Sequence, residues 1–298
     1  MSRAPDPVPV APRSELLAIP SGVELHLVRW EPSDPDPALP PALLVHGLAS
    51  NARLWDGVAR SLAARGHRVV ALDQRGHGRS SKPDVGYDVA TVADDLAHVV
   101  RALGWQRPVV AGQSWGGNVV VELAHRHPDL ARAIVAVDGG FIDLRTHLPR
   151  WEDALRLLAP PRLAGAPYAE VERMVRTTAA DWPDGGEGSL ANFEHRPDGT
   201  VAPWLTYERH LIVLRGLWEH DPAERFATIT TPVLFVVAEE RASWTVSKRA
   251  GVERALARLE HGAAAYVADA HHDVHAQHPE LVAALVHDAA TGRAFTAT

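Results

Sequence analysis

Gly112-Gln113-Ser114-Trp115-Gly116 has the residue types and spacing of a G-x-S-x-G nucleophile turn. A serine hydroxyl is a weak nucleophile at neutral pH. It acts where the chain exposes it beside a base, an acid that orients the base, and donors for the developing oxyanion. The residues around Ser114 suit such a turn. Pro108-Val109-Val110-Ala111 reads as a buried strand and Asn118 to Arg126 as a helix, so Ser114 falls on a sharp strand-to-helix turn. Its flanking glycines allow packing that a Cβ would block. A capping serine at an ordinary helix start has the same local pattern, so the remaining groups must decide.

Leu43-Leu44-Val45-His46-Gly47-Leu48-Ala49 is a strand that ends in His-Gly and turns. With these residues added, the chain resembles the α/β-hydrolase superfamily and, within it, the capped serine hydrolases of esterase and lactonase type. The resemblance implies that the backbone N–H groups of Leu48 and Trp115 form the oxyanion hole. It sets His46 and Gly47 beside the substrate, although His46 fits a loop-bracing role equally well. Trp55 and Trp115, next to these elements, are candidate pocket walls. Asp73-Gln74-Arg75-Gly76-His77-Gly78-Arg79-Ser80 resembles the D-x-R-G-x-G-x-S loop of the same superfamily, and we read it as structural. Asp73 is not the triad acid, because it precedes the serine and the family order is Ser, acid, His.

In related hydrolases the catalytic histidine stands seven residues before a Pro-Glu pair that opens the last helix, which selects His272 ahead of Pro279-Glu280. His271, His275 and His278 have spacing that a metal could use, but this reading competes with a serine triad whose other parts are present. Two positions remain open for the acid. The commoner one follows the strand Val233 to Val237, where the chain reads Ala238-Glu239-Glu240-Arg241, with arginine in place of the usual aspartate. A cation cannot stabilise an imidazolium, so Glu239 or Glu240 would have to serve. The other position is the end of the preceding strand, where Ala133 to Val137 leads into Asp138-Gly139-Gly140. Asp138 is favoured.

These side chains need a scaffold that brings distant strand ends together. Buried-type strands are expected at Ala42 to Val45, Arg68 to Leu72, Pro108 to Ala111, Ala133 to Val137, Val233 to Val237 and Ala264 to Val267. Helical patterns lie between them, near Arg53 to Arg65, Val89 to Leu103, Asn118 to His125, Ser247 to Leu259 and Glu280 to Ala289. A hairpin is expected about Ser21-Gly22. This alternation predicts an α/β fold, a mostly parallel sheet covered on both faces. The rhythm breaks after Gly139 for roughly 80 to 90 residues, too long for a loop. That stretch carries Trp151, Trp182, Trp204 and Trp218 and helical patterns at Trp151 to Leu158 and Ala169 to Thr178. The expected organisation is a flexible arm over 1–13, a core of 14–140 and 231–298, and a helical cap over 141–230. Most of the cap tryptophans are expected to serve packing.

Composition narrows the function. A net charge of −7 with no basic block argues against a nucleic-acid partner. The absence of cysteine excludes disulfides and thiolate chemistry and fits a cytoplasmic location. The first thirteen residues lack the apolar core of a signal peptide, and no apolar run is long enough to span a membrane. Neither a dinucleotide fingerprint nor a P-loop is present, so no cofactor is expected. The expected activity is serine hydrolysis of an ester or lactone on a medium-sized, fairly apolar small molecule. The alternatives are carbon–carbon bond hydrolysis of a diketone and a ligand receptor on the same fold.

Overall fold

The computed structural model describes residues 11–240 and 244–296. Among the described residues there are ten strands: β1 (Arg13–Ala18), β2 (Glu24–Trp30), β3 (Ala42–Val45), β4 (Val69–Leu72), β5 (Val109–Gln113), β6 (Ala133–Val137), β7 (Phe193–His195), β8 (Val201–Pro203), β9 (Val233–Glu239) and β10 (Gly262–Ala268). Eight form one sheet in the order β1-β2-β4-β3-β5-β6-β9-β10. β1 and β2 pair antiparallel with each other, β2 pairs antiparallel with β4, and every pair beyond β4 is parallel. The expected hairpin about Gly22 is the β1–β2 pair. The arm expected over 1–13 lies outside the described residues for its first ten positions, and β1 begins at Arg13.

The main helices are α1 (Asp56–Ala64), α2 (Val89–Ala102), α3 (Trp115–Arg126), α4 (Leu144–His147), α5 (Trp151–Leu158), α6 (Tyr168–Thr178), α7 (Glu187–Leu190), α8 (Tyr207–Glu219), α9 (Trp244–Leu256), α10 (Val274–Gln277) and α11 (Pro279–Thr291). Successive side chains of a strand point to opposite faces, and the core divides accordingly. Leu43, Val45, Val110, Ile134 and Phe235 pack with α2 and α3. Leu44, Val109, Ala111, Val135 and Val236 pack with α1 and α11. Both faces are therefore dry, as near-continuous apolar strands require. Among the described residues no helix is long and apolar enough to cross a membrane.

The stretch between β6 and β9 holds α4 to α8. It also contains an antiparallel hairpin, β7–β8, that the helical expectation did not include. A small core of its own, Val171, Val175, Leu190 and Val201, supports it. It is tied to the sheet domain at Asn51, whose amide donates to the Gly188 carbonyl (2.9 Å) and to Asn192 Oδ1 (2.6 Å). Trp182 and Trp218 are buried in packing.

Parallel pairing fixes where chemistry can gather. Register sets Val45 beside Gly112, Gln113 beside Val137, and Val137 beside Val236. The residues that follow these strands therefore meet at one edge of the sheet, where open α/β sheets bind ligands. Backbone strain collects there too. Ala49, Ser114, Asp138 and Asp269 have φ of 59°, 54°, 43° and 54°. Each follows a parallel strand, and L-residues adopt this conformation only at a cost.

Candidate active site

Ser114 sits between β5 and α3 with φ 54° and ψ −120°. Its N–H donates to the Val137 carbonyl at 2.9 Å, which pins the turn to the end of β6. The elbow depends on close backbone contact: a Cβ on Gly116 would lie 2.4 Å from the His46 carbonyl oxygen. As the first residue of α3, Trp115 has an N–H with no carbonyl inside the helix to accept it. Gly47 brings the neighbouring loop against the serine, since a Cβ there would stand 2.3 Å from Gln113 Oε1 and 3.1 Å from Ser114 Cβ. Leu48 follows at once, half-buried, before the turn at Ala49.

His272 lies beyond the end of β10, with its Nδ1 2.6 Å from Asp138 Oδ2. A carboxylate only accepts, so Nδ1 is the donor and the neutral ring keeps its lone pair on Nε2. The Asp138 side chain is fully buried while that of His272 is 48% exposed. Asp138 Oδ1 accepts the Ala238 N–H at 3.1 Å. The partial burial of His272 works against its charged form, but the hydrogen bond and charge of Asp138 outweigh it and raise the imidazole above its ordinary pKa. Gln113, buried and adjacent to the nucleophile, donates from Nε2 to the His272 carbonyl at 3.2 Å and so links the histidine loop to the serine turn.

The alternative acids are engaged elsewhere. Glu239 accepts from Arg249 Nε at 2.5 Å, and Glu240 stands 3.9 Å from Lys248 Nζ. Arg241, at the position where the aspartate is usual, lies outside the described residues. Of the three candidate carboxylates, Asp138 is the one on the imidazole.

A cavity of about 380 Å³ opens between the sheet domain and the insertion, with Ala49 and Ser50, the residues after Leu48, on one side. Pro160, Leu163, Phe193, Trp204 and Tyr207 make much of its wall, and His210 also lines it. Burial lowers the pKa of His210 to about 4, so this ring is neutral at pH 7.

A sequence model of the alpha/beta hydrolase fold matches residues 40–200, more than half of the chain. This chain belongs to the alpha/beta hydrolase family. A 2-(acetamidomethylene)succinate hydrolase of Mesorhizobium japonicum is 30% identical over 206 residues, which cover 67% of this chain and 70% of the relative. The crystal structure of an E-2-(acetamidomethylene)succinate hydrolase superposes with a TM-score of 0.74 at 25% identity, over 93% of this chain and 98% of that one. Epoxide hydrolase B of Mycobacterium tuberculosis is 35% identical over 122 residues, but these span only 40% of this chain and 34% of the relative. The relatives are hydrolases, and hydrolase activity is the level at which family membership describes this chain.

Against this alpha/beta hydrolase frame, three expectations change. His46 offers no free ring edge to a cleft. It is fully buried, its Nδ1 lies 2.7 Å from the Gly47 carbonyl, and its Nε2 accepts the Gln74 N–H at 3.0 Å. Both ring nitrogens are spent on bracing the loop, and burial lowers its pKa. Trp55 is fully buried in the core under α1 and packs on His275 at 4.4 Å between ring centroids, so it is not a pocket wall. The Trp115 ring is likewise buried, stacked on His77 at 5.3 Å, which leaves only its backbone N–H to the candidate site.

The histidines of the last loop do not converge. His271 is exposed, 3.8 Å from Asp181. His275 is fully buried, and burial lowers its pKa to about 3. Among the described residues no group of three or more His, Cys, Asp or Glu could hold a metal. The D-x-R-G-x-G-x-S segment has structural contacts. Asp73 accepts from the Ala52 and Arg79 N–H groups and pairs with His26 at 2.9 Å. Although burial would raise its pKa, these partners hold it at about 2. Arg75 makes a buried two-point ion pair with Asp95, at 2.5 and 2.6 Å.

Two residues near the site escaped sequence reasoning. Gln113 occupies a variable position of the motif; a polar residue ending an otherwise apolar strand was its one signal. Lys248 donates to Asp138 Oδ2 at 2.7 Å from a helix 110 residues further along the chain, and nothing in the local sequence marks it.

Proposed function

We propose that the protein is a serine hydrolase that cleaves a carboxylic ester or lactone through an acyl-enzyme. The observation that carries this reading is the 2.6 Å contact between His272 Nδ1 and Asp138 Oδ2, in a loop linked through Gln113 to the strained Ser114 turn. Ser114 Oγ attacks the carbonyl carbon while His272 Nε2 takes its proton. Asp138 fixes the imidazole tautomer and balances the imidazolium. The N–H groups of Leu48 and Trp115 receive the oxyanion. His272 returns the proton to the leaving alkoxide, and water, deprotonated by the same imidazole, releases the acid.

The insertion acts as the cap, and its apolar cavity beside Ala49 and Ser50 suits a medium-sized substrate with an aromatic or branched apolar group. A second reading, hydrolysis of an N-acyl bond, is favoured by the relative whose name carries an acetamido group. The same residues would serve, with an amine as leaving group. A panel of nitrophenyl esters, lactones, anilides and diketones tests the choice. Ester or lactone turnover that is lost in Ser114→Ala supports the first reading, and turnover confined to anilides replaces it with the second. Carbon–carbon cleavage alone, or tight binding without turnover, rejects both.

A further inference from the structure

Two nitrogen donors meet on one oxygen of Asp138. His272 Nδ1 is 2.6 Å and Lys248 Nζ 2.7 Å from the same Oδ2. The lysine is fixed on a second side by the Ala238 carbonyl, at 3.1 Å. It therefore bridges the ends of β6 and β9, with its side chain only 16% exposed. We propose that Lys248 is a positioning residue for hydrolysis, sharing the Asp138 carboxylate with His272 so that the acid stays anchored and its pull on the imidazolium is weakened. This rests on the triad reading given above.

The argument begins with Asp138. Its carboxylate is wholly buried, and a buried charge needs compensation. In the resting state with a neutral imidazole, Lys248 is, among the described residues, the cation at hydrogen-bonding distance that supplies it. The anchored ammonium also restrains the carboxylate, alongside the Ala238 N–H on its other oxygen. Charge balance around His272 points the same way. Asp138 faces it from the end of β6, and Asp273 and His271 from its own loop. Glu240, past β9, acts on Asp273, and His275, on α10, lies within reach of the His272 charge. The carboxylates favour the imidazolium, which cannot accept the serine proton. Lys248 is the cation of α9 that opposes them, and its charge lowers the His272 pKa.

The test is the pH dependence of kcat/KM for a nitrophenyl ester in Lys248→Met, Lys248→Gln and Lys248→Arg, together with an NMR titration of the His272 imidazole in the same full-length proteins. Glutamine keeps a donor and removes the charge, while arginine keeps the charge. Losing a cation this close should move the acid limb and the imidazole titration upward by on the order of one pH unit in Met and Gln. Arginine should restore the wild-type limb. The NMR titration gives the answer even where turnover is too slow to follow. If Met misfolds, the Gln and Arg pair still decides. A folded Lys248→Gln protein with an unmoved limb and an unmoved titration overturns the proposal. Should Ser114→Ala or His272→Ala retain turnover, the triad reading itself fails, whatever Lys248 does.

Discussion

Asp138→Asn is the substitution on which the site stands or falls. Among the described residues the native carboxylate makes three hydrogen bonds: Oδ2 accepts from His272 and Lys248, and Oδ1 accepts from the Ala238 N–H. An asparagine can match only one side of this pattern. With its oxygen toward His272 and Lys248, the amide NH₂ opposes the Ala238 N–H, donor against donor. With its oxygen toward Ala238, the NH₂ faces Nδ1 and Lys248. Nδ1 must then carry the lone pair and Nε2 the proton, so the imidazole cannot take the serine proton. The negative charge that balances the imidazolium is lost in either orientation. A change of this kind costs about 10⁴ in kcat, or about 5 kcal/mol of transition-state stabilisation. The assay is nitrophenyl ester hydrolysis by purified protein, with circular dichroism to show that the variant is folded. Glu239→Gln and Glu240→Gln, run alongside, should stay close to wild type. If Asp138→Asn keeps more than about a tenth of kcat, or if a glutamate variant suffers the large loss instead, the assignment of the acid is wrong.

Three other outcomes are expected. The imidazole pKa is raised and only the neutral ring accepts a proton, so kcat/KM should fall as pH drops through a midpoint above 6.5, the ordinary histidine value; a midpoint at or below it contradicts the His272–Asp138 pairing. Gly47→Ala drives a methyl into Gln113 and the Ser114 side chain, and displacing the oxyanion loop should cost about 10² to 10³ in kcat, measured with stability unchanged in a denaturant titration. Arg75→Ala strands the buried Asp95 carboxylate and should destabilise the fold by about 3 to 5 kcal/mol, read from the shift in urea midpoint at constant m-value.

The scaffold was largely legible because its strands are buried on both faces. Ala42–Val45 and Ala133–Val137 have the bounds that their apolar runs predict, and the Trp151–Leu158 helix agrees as well. The β7–β8 hairpin was not legible: three-residue strands, one of them half-exposed Phe193 followed by exposed Glu194 and His195, carry no periodic signal. The α8 helix was missed for a related reason, since its charged and aromatic residues mix on a partly buried face. In the proposed site, motif spacing named Ser114 and His272 as candidates, but it left the acid open, because the contact that distinguishes Asp138 joins residues 134 apart. Trp55 and His46 show the opposite error. Proximity in sequence to a reactive loop says nothing of side-chain direction, and both side chains turn inward.

In the proposed triad, an acid drawn from β6 in place of β9 gathers the nucleophile, both oxyanion donors and the carboxylate into one unbroken stretch of chain before the insertion. Only His272 arrives after it. The segment between Phe141 and Thr231 can then be read as a cassette: it could be shortened, extended or exchanged between homologues without altering the spacing of those four groups. The end of β9 would serve by holding Lys248 and the Asp138 carboxylate through Ala238. An engineer seeking new substrates has, in this chain, a wall that can be rebuilt while the reacting groups keep their places.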